Sequence, residues 1–430
     1  LKAKWIIAGA GVLVVAGAGA MPWVVGYVTE QQWQQVTREL NQSQQFVQMQ
    51  TEDYRRGFFS AELDGAVTVL NPETGETHPV EYRAKVTHGI TGSLIDFKPV
   101  DGWAPEGAGW FQEEPRLTLE SRLWGNAVLE LEAPAMAIND PEGGESLRTS
   151  SGVIRVELSD AGSKAEALVV WPQLSFTGPD MNVRVNDFRA EQSMSHLNGD
   201  VWTGTMESSI ASVEMTSSAA PPVTLEELRA SSSTEAKDDG QRLDSRLLIE
   251  AGKVRLEDEA YGPHKLSFVL EDLDVASWGN LTTSIAELQN TALASDAGSR
   301  EAFERQMAAM GQVSMAMRDL AVEGFSVGFP EISLNTPEGA VTGSVMISHP
   351  ELADDQKGEM LMVMQQLTGS MNLSMPAVLA DEYPGVRLQL APLIKQGLLV
   401  PEGDRLVMAA KLNDMVISVN GQEIPLPPLF

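Results

Sequence analysis

Period-two alternation constrains this chain more than any other feature. From Tyr54 to Ile90, Phe59, Ala61 and Leu63 alternate with polar residues and Val67 and Val69 follow. After the turn signal Asn71–Glu76 the stretch 80–90 resumes the pattern. Alternation lines one face of a strand with apolar side chains, whereas a helix needs them every three or four residues. Residues 116–124, 127–138 and 152–160 read the same way, between Gly, Pro and acidic turns at roughly ten-residue spacing. That layout predicts extended antiparallel sheet rather than βαβ units.

One phrase recurs. Val183-Arg-Val185-Asn-Asp-Phe188-Arg-Ala190 has the form apolar-x-apolar, two acid or amide residues, apolar-x-apolar. It returns at Val223–Ala230, Phe268–Val275 and Ala410–Ile417. Two polar residues in the middle shift the apolar set to the other parity, and a β-bulge there would restore a single buried face. The phrase therefore predicts a repetitive, elongated sheet. Residues 206–241 are Ser- and Ala-rich but contain the second copy, so strands joined by polar turns fit them better than a disordered linker.

The period changes near Ala276. Leu281, Ile285 and Leu288, then Phe303, Met307, Met310 and Met315 after a break at Asp296–Ser299, are spaced for helix. Met307, Met310, Met315 and Met317, with Met360, Met362 and Met364, read as a Met-rich helix core or as an adaptable surface, the core being the expected choice. Residues 325–348 return to strand, 352–367 and 376–399 read as helices, and Asn420-Gly421 marks a hairpin.

The chain opens on an uncharged run, Trp5 to Val28, behind Lys2 and Lys4. At ~1.5 Å per residue it exceeds the ~30 Å hydrocarbon core, and Trp5, Trp23 and Tyr27 stand where headgroup-level rings belong. No further basic residue occurs before Arg38, so the positive-inside bias places the N-terminus in the cytoplasm and the body outside it. A signal peptide cleaved near Ala18-Gly19-Ala20 is the competing reading. Residues 29–50, with Trp33, Val36, Leu40 and Val47 near one face, predict a helical stalk. The expected organisation is an anchor (1–28), a stalk (29–50), a β-rich region (51–275) and an α+β region completing the same body (276–430). The fold class is α+β, β-rich and mainly antiparallel, behind a transmembrane helix.

Tyr54, Gly57, Phe58 and Ser60, then His88-Gly89, in that order behind an apolar N-terminal run, resemble the opening of the YdgA-like envelope proteins of Gram-negative bacteria. Leu334-Asn335-Thr336-Pro337-Glu338-Gly339 and the ending around Asn420-Gly421 resemble the same family. The resemblance implies an envelope location and leaves the activity open.

The chemistry-bearing residues give no catalytic, cofactor or metal assignment. His78, His88, His196, His264 and His349 include no helical ligand pair, and H-E-x-x-H, G-x-S-x-G and P-loop motifs are absent. Cysteine is absent, which removes disulfides and thiolate metal sites and suits an oxidising compartment. With 60 acidic residues, carboxylate pairs carry no information, and a net charge of −30 argues against nucleic acid. His88 is the one candidate for a special role, against a strand-end histidine satisfied by backbone. The expected function is a non-catalytic, inner-membrane-anchored periplasmic protein binding lipid or another envelope protein through its sheet, with homo-oligomers left open. The alternative is a hydrolase or glycan-active enzyme with a pocket holding two acids.

Overall fold

The structure, a computed structural model, describes residues 21–38, 40–41, 47–70, 77–140, 143–198, 201–257, 259–293, 300–353, 356–357, 363 and 365–425. Trp5 and the rest of the apolar run to residue 20, the turn Asn71–Glu76, and Met360, Met362 and Met364 lie outside the described residues. The chain divides into two compact units, Leu1–Phe176 and Thr177–Phe430.

Unit 1 begins with helix α1 (residues 21–38). It continues as antiparallel strands β1 (Val47–Arg56), β2 (Ser60–Leu70), β3 (Thr77–His88), β4 (Gly92–Pro99), β5 (Arg116–Arg122) and β6 (Ala127–Ala133). β9 (Gly152–Ser159) pairs with β6 and β10 (Lys164–Thr177) with β9; the hairpin of β7 (Met136–Asp140) and β8 (Glu145–Thr149) joins through β10. α1 lies on one face of this sheet because Pro22, Val25, Gly26, Thr29, Trp33 and Thr37 recur at helical spacing and are all buried. Trp33 closes a core with Ala61, Leu63, Tyr82, Ala84, Val86, Ile95 and Phe97, and its indole N–H donates to Thr51 Oγ1 at 2.9 Å.

This corrects the expected place of residues 21–28 and the expected stalk. Among the described residues no helix is long and apolar enough to cross a membrane. Residues 21–28, expected at the end of the span, belong to a helix resting on protein, with Trp23 and Tyr27 exposed and Val28 half-buried. The expected stalk at 29–50 ends in strand, since β1 starts at Val47. The face it buries also runs Val25–Thr29–Trp33–Thr37, with Val36 turned to solvent. Threonine and glycine, which a stripe of large apolar residues leaves out, complete the buried face.

Unit 2 is a second antiparallel succession: β11 (Met181–Asn198), β12 (Val201–Ser217), β13 (Val223–Lys237), β14 (Arg242–Leu256), β16 (His264–Asp274), β17 (Phe325–Thr336), β18 (Gly339–His349), β19 (Thr368–Pro376), β21 (Arg405–Asn413), β22 (Val416–Val419) and β23 (Gln422–Pro425). Short strands β15 (Glu259–Tyr261) and β20 (Val400–Glu402) add to β14 and β21. The change of period marks α2 (Val275–Leu293) and α3 (Arg300–Val322). Helices α4 (Val378–Glu382) and α5 (Pro384–Lys395) follow β19.

The repeated phrase has a backbone counterpart. The second residue of its polar pair is left-handed in each of the first three copies: Asp187 (φ 53°), Glu227 (φ 55°) and Asp272 (φ 61°). In β16 this is a bulge, because Leu273 pairs with Leu243 while Leu270 pairs with Ser245. Leu270 and Leu273 thereby return to one face and pack in one cluster with Leu243. In β11 to β14 the same step keeps register: Val185, Val213, Leu225 and Val254 form one row, and Ile210, Leu228 and Ala251 the row three residues on. The fourth copy differs. Asp414 and Met415, both left-handed, form the two-residue turn of the β21–β22 hairpin.

Helices cap the apolar face of unit 2 at two places. α2 and α3 cover Val201, Leu243, Leu273 and Val275, and α4 and α5 lie over Met375, Leu399, Leu406 and Val419. α3 corrects the expected Met-rich core. Its buried residues are Ala302, Ala309, Ala316, Leu320 and Val322, whereas Met307, Met310, Met315 and Met317 are 51–60% exposed. Small residues let α2 and α3 approach closely, which turns the longer side chains outward.

Candidate functional site

The residues singled out in the sequence sort into structural joints. Gly57 donates its N–H to Ser60 O at 2.8 Å and closes the β1–β2 hairpin, leaving Phe58 and Phe59 exposed at its tip. Gly89 bonds Gly92 O at 2.8 Å and closes β3–β4. Tyr54 is half-buried beside α1, and burial first, then Glu30, pushes its phenol up to about 12. In unit 2, Thr336 Oγ1 donates to Gly339 O at 2.9 Å across the turn Pro337-Glu338, and Tyr383 holds that turn by donating to Glu338 at 2.8 Å. Asn420 and Gly421 are both left-handed, and the Asn420 amide bonds the Leu398 and Val407 carbonyls and the Ala409 N–H. Tyr54, Gly57, Phe58, His88 and Gly89 come together at one end of unit 1; Thr336, Pro337, Gly339, Asn420 and Gly421 serve turns of unit 2.

His88 is buried, and its partner is a side chain rather than backbone. Its Nδ1 lies 2.9 Å from Ser93 Oγ, which is 2.8 Å from Thr29 Oγ1 on α1. Burial first, and Arg56 second, lower its pKa, so the ring is neutral. A Ser–His pair suggests nucleophilic catalysis, but Ser93 is 2% exposed and Nε2 is buried under Gly26, with no hydrogen-bond partner among the described residues to orient it. The trio ties α1 to the sheet. Its signal in the sequence is the hairpin His88-Gly-Ile-Thr-Gly-Ser93, which sets the two side chains opposite each other.

A depression of about 370 Å³ lies on one face of unit 2, lined by Arg246, Lys265, Glu271, Glu331 and Met346 among others. A smaller one beside it is lined by Glu235, Asp244 and Glu271. Acids therefore do gather in a concavity, as the carboxylate-enzyme alternative requires. Their electrostatics run the other way, because Lys265 pairs with Glu331 at 2.8 Å. Burial works to raise the pKa of Asp244, but Lys237 and the Asp272 N–H outweigh it and hold the carboxyl below its ordinary range. A general acid needs the opposite shift. Among the described residues no group of three or more His, Asp or Glu could hold a metal.

The opposite face of the same sheet is apolar. Register places Ala190, Ser208, Ala230, Ile249, Leu266, Ile332, Gly343, Leu373 and Met408 in one row crossing nine strands, β11 to β21. At ~4.8 Å per strand that row is about 38 Å long. Ile210, Leu228, Ala251, His264, Leu334 and Val341 form the row beside it. On the other face, Arg189, Ser209, Arg229, Glu250, Lys265, Ser333, Thr342 and Ser374 stand in register. One polar face is ordinary for antiparallel sheet, but the apolar face should then be packed. Between its helical caps it is not: Ile249 is 43% and Leu334 46% exposed, and neither joins a buried cluster.

Unit 1 repeats the arrangement. Leu63, Ala84, Phe97, Leu117, Leu131, Ile154 and Val169 form one row; Ala61, Val86, Ile95, Leu119, Leu129, Val156 and Ala167 form the next. α1 buries both rows on β2 to β4, and beyond β5 they are half-exposed, Leu129 at 40%. Contiguous apolar surface on this scale marks a binding site.

In comparison with known proteins, the family model described as "Bacterial protein of unknown function (DUF945)" matches residues 2–427. No curated protein and no solved structure matches.

Proposed function

The chain belongs to that bacterial family of unknown function, and from that premise we propose that it is a non-catalytic envelope protein holding hydrocarbon chains of lipid on the open apolar faces of its sheets. The observation that carries this reading is the pair of cross-strand rows in unit 2 that remain half-exposed between two helical caps. An extended peptide laid on such a face would leave its N–H and C=O groups without partners, whereas an acyl chain has none to satisfy. An acyl chain of one leaflet spans about half of the ~30 Å hydrocarbon core, well within one row. Covering one half-exposed Leu or Ile contributes on the order of 1 kcal/mol, so a few contacts hold a chain. A second copy is a poorer occupant, since two bodies of charge −30 repel.

The apolar run before residue 21, the lysines ahead of it and the YdgA-like resemblance support an inner-membrane anchor with the body in the periplasm. The test is mass spectrometry of organic extracts from residues 21–430 purified without detergent from the native host; a cut at residue 29 would strip Val25 and Gly26 from the sheet. Stoichiometric phospholipid is the expected result. A stable body free of lipid would overturn the reading in favour of a scaffold for another envelope protein.

A further inference from the structure

Connections in an antiparallel meander alternate between the two ends of the sheet, and in unit 1 the two ends differ in chemistry. At one end lie the β1–β2, β3–β4 and β5–β6 turns: Gly57-Phe58-Phe59-Ser60, Gly89-Ile90-Thr91-Gly92 and Leu123-Trp124-Gly125-Asn126. None contains an acid, in a chain with 60 of them. At the other end, residues 100–115 carry Asp101, Glu106, Glu113 and Glu114.

The uncharged turns are linked to one another. His88 N donates to Phe59 O at 2.8 Å, and Leu123 N donates to Thr91 O at 3.0 Å. Their side chains point to solvent: Phe59 is 64%, Ile90 58% and Trp124 57% exposed, and Phe58 joins them. The neighbouring β9–β10 turn brings Asp160, which Lys164 neutralises at 2.7 Å. α1 starts at the same end. Gly26 rests on His88, and Arg56 lies over the rings of Trp23 and Tyr27 at 5.5 and 5.3 Å. Both rings are exposed, and the chain enters α1 directly from the apolar run that begins at Trp5.

We propose that this end of unit 1 is a membrane-docking surface, in which Phe58, Phe59, Ile90 and Trp124 enter the interface of a phospholipid bilayer beside Trp23 and Tyr27. Aromatic rings on short uncharged turns match the headgroup boundary, where an amphipathic ring sits and an unpaired carboxylate is repelled by anionic lipid. A protein partner would leave unexplained why the apolar tips gather where the apolar run joins the body. Docking also aims the rows under α1 at the bilayer by one fixed end, so lipid could reach the open part of that face without crossing the acidic end. The inference rests on the membrane attachment proposed above.

The absence of cysteine permits single labels in the full chain. Phe59→Cys, Ile90→Cys and Trp124→Cys, each carrying a nitroxide, are reconstituted in vesicles of phosphatidylethanolamine and phosphatidylglycerol. Val100→Cys, at the acidic end and 50% exposed, is the control. Collision with dissolved oxygen should exceed collision with a water-soluble nickel chelate at the three tip positions, and the order should reverse at residue 100. Brominated lipid gives a readout without labels: tryptophan quenching should fall in Trp124→Phe. Chains that float with vesicles but show water-like accessibility at every position would overturn docking and leave the anchor standing. Chains that do not associate with vesicles would overturn both.

Discussion

Gly26 is placed so that a Cβ would stand 2.8 Å from His88 Nε2. Gly26→Ala should therefore destabilise unit 1 by about 1–3 kcal/mol in urea unfolding, and His88→Ala in the same chain should recover part of that by opening space. His88 also sets a pH dependence. Its folded pKa lies below the ordinary 6.5 because burial and Arg56 disfavour the charged ring. Below about pH 6.5 the unfolded chain takes up the proton first, so the stability contributed by the neutral ring is full above that pH. It is lost as pH falls through the folded value. The stability of wild type relative to His88→Gln should thus decline from pH 7.5 to pH 5, and a flat difference would mean the ring is not held neutral. Histidine before a Gly-x-x-Gly turn was visible in the sequence. Thr29 was not, because nothing local tells a membrane-bound helix from one lying on a sheet.

Among elements, strands were legible where alternation was long, and so were the bulge of β16 and both helix pairs. Left-handed backbone falls on Asp187 and Asp272, whose short polar side chain tolerates it better than most, and on Glu227, which has no such advantage. Asp187→Gly should leave stability unchanged or raise it by up to ~1 kcal/mol, whereas Asp187→Val should lower it by about 1–2 kcal/mol in thermal unfolding. The orientation of α3 was not legible. Its Met and Phe residues keep helical spacing, but so do Ala302, Ala309 and Ala316, and only packing against α2 decides which set is buried. Mild peroxide should accordingly convert Met307, Met310, Met315 and Met317 to sulfoxides while leaving the melting temperature unchanged. A fall in that temperature would place these methionines in a core.

For the whole molecule, alternation announces that each strand has an apolar side, but not whether anything covers it. Coverage depends on where the helices land: in unit 1, α1 over β2 to β4, and in unit 2, α2 and α3 around Leu243 and Leu273 and α4 and α5 around Leu399. The rows between emerge only from strand register, which joins residues as far apart in sequence as Ala190 and Met408. That separation hid the candidate site from the sequence. If acyl chains occupy those rows, a charge placed there must expel them with little effect on folding, because the position is already half in water. Ile249→Glu with Leu334→Glu should reduce co-purifying phospholipid in residues 21–430 several-fold and change unfolding free energy by less than about 1 kcal/mol. Ser231→Glu with Ser233→Glu adds the same two charges to the polar face of the same sheet and should leave lipid content at the wild-type level. Equal loss in both pairs would trace the effect to added negative charge rather than to the apolar face. Equal retention would mean that lipid, if present, sits elsewhere. Loss confined to the first pair follows only if hydrocarbon lies against Ile249 and Leu334.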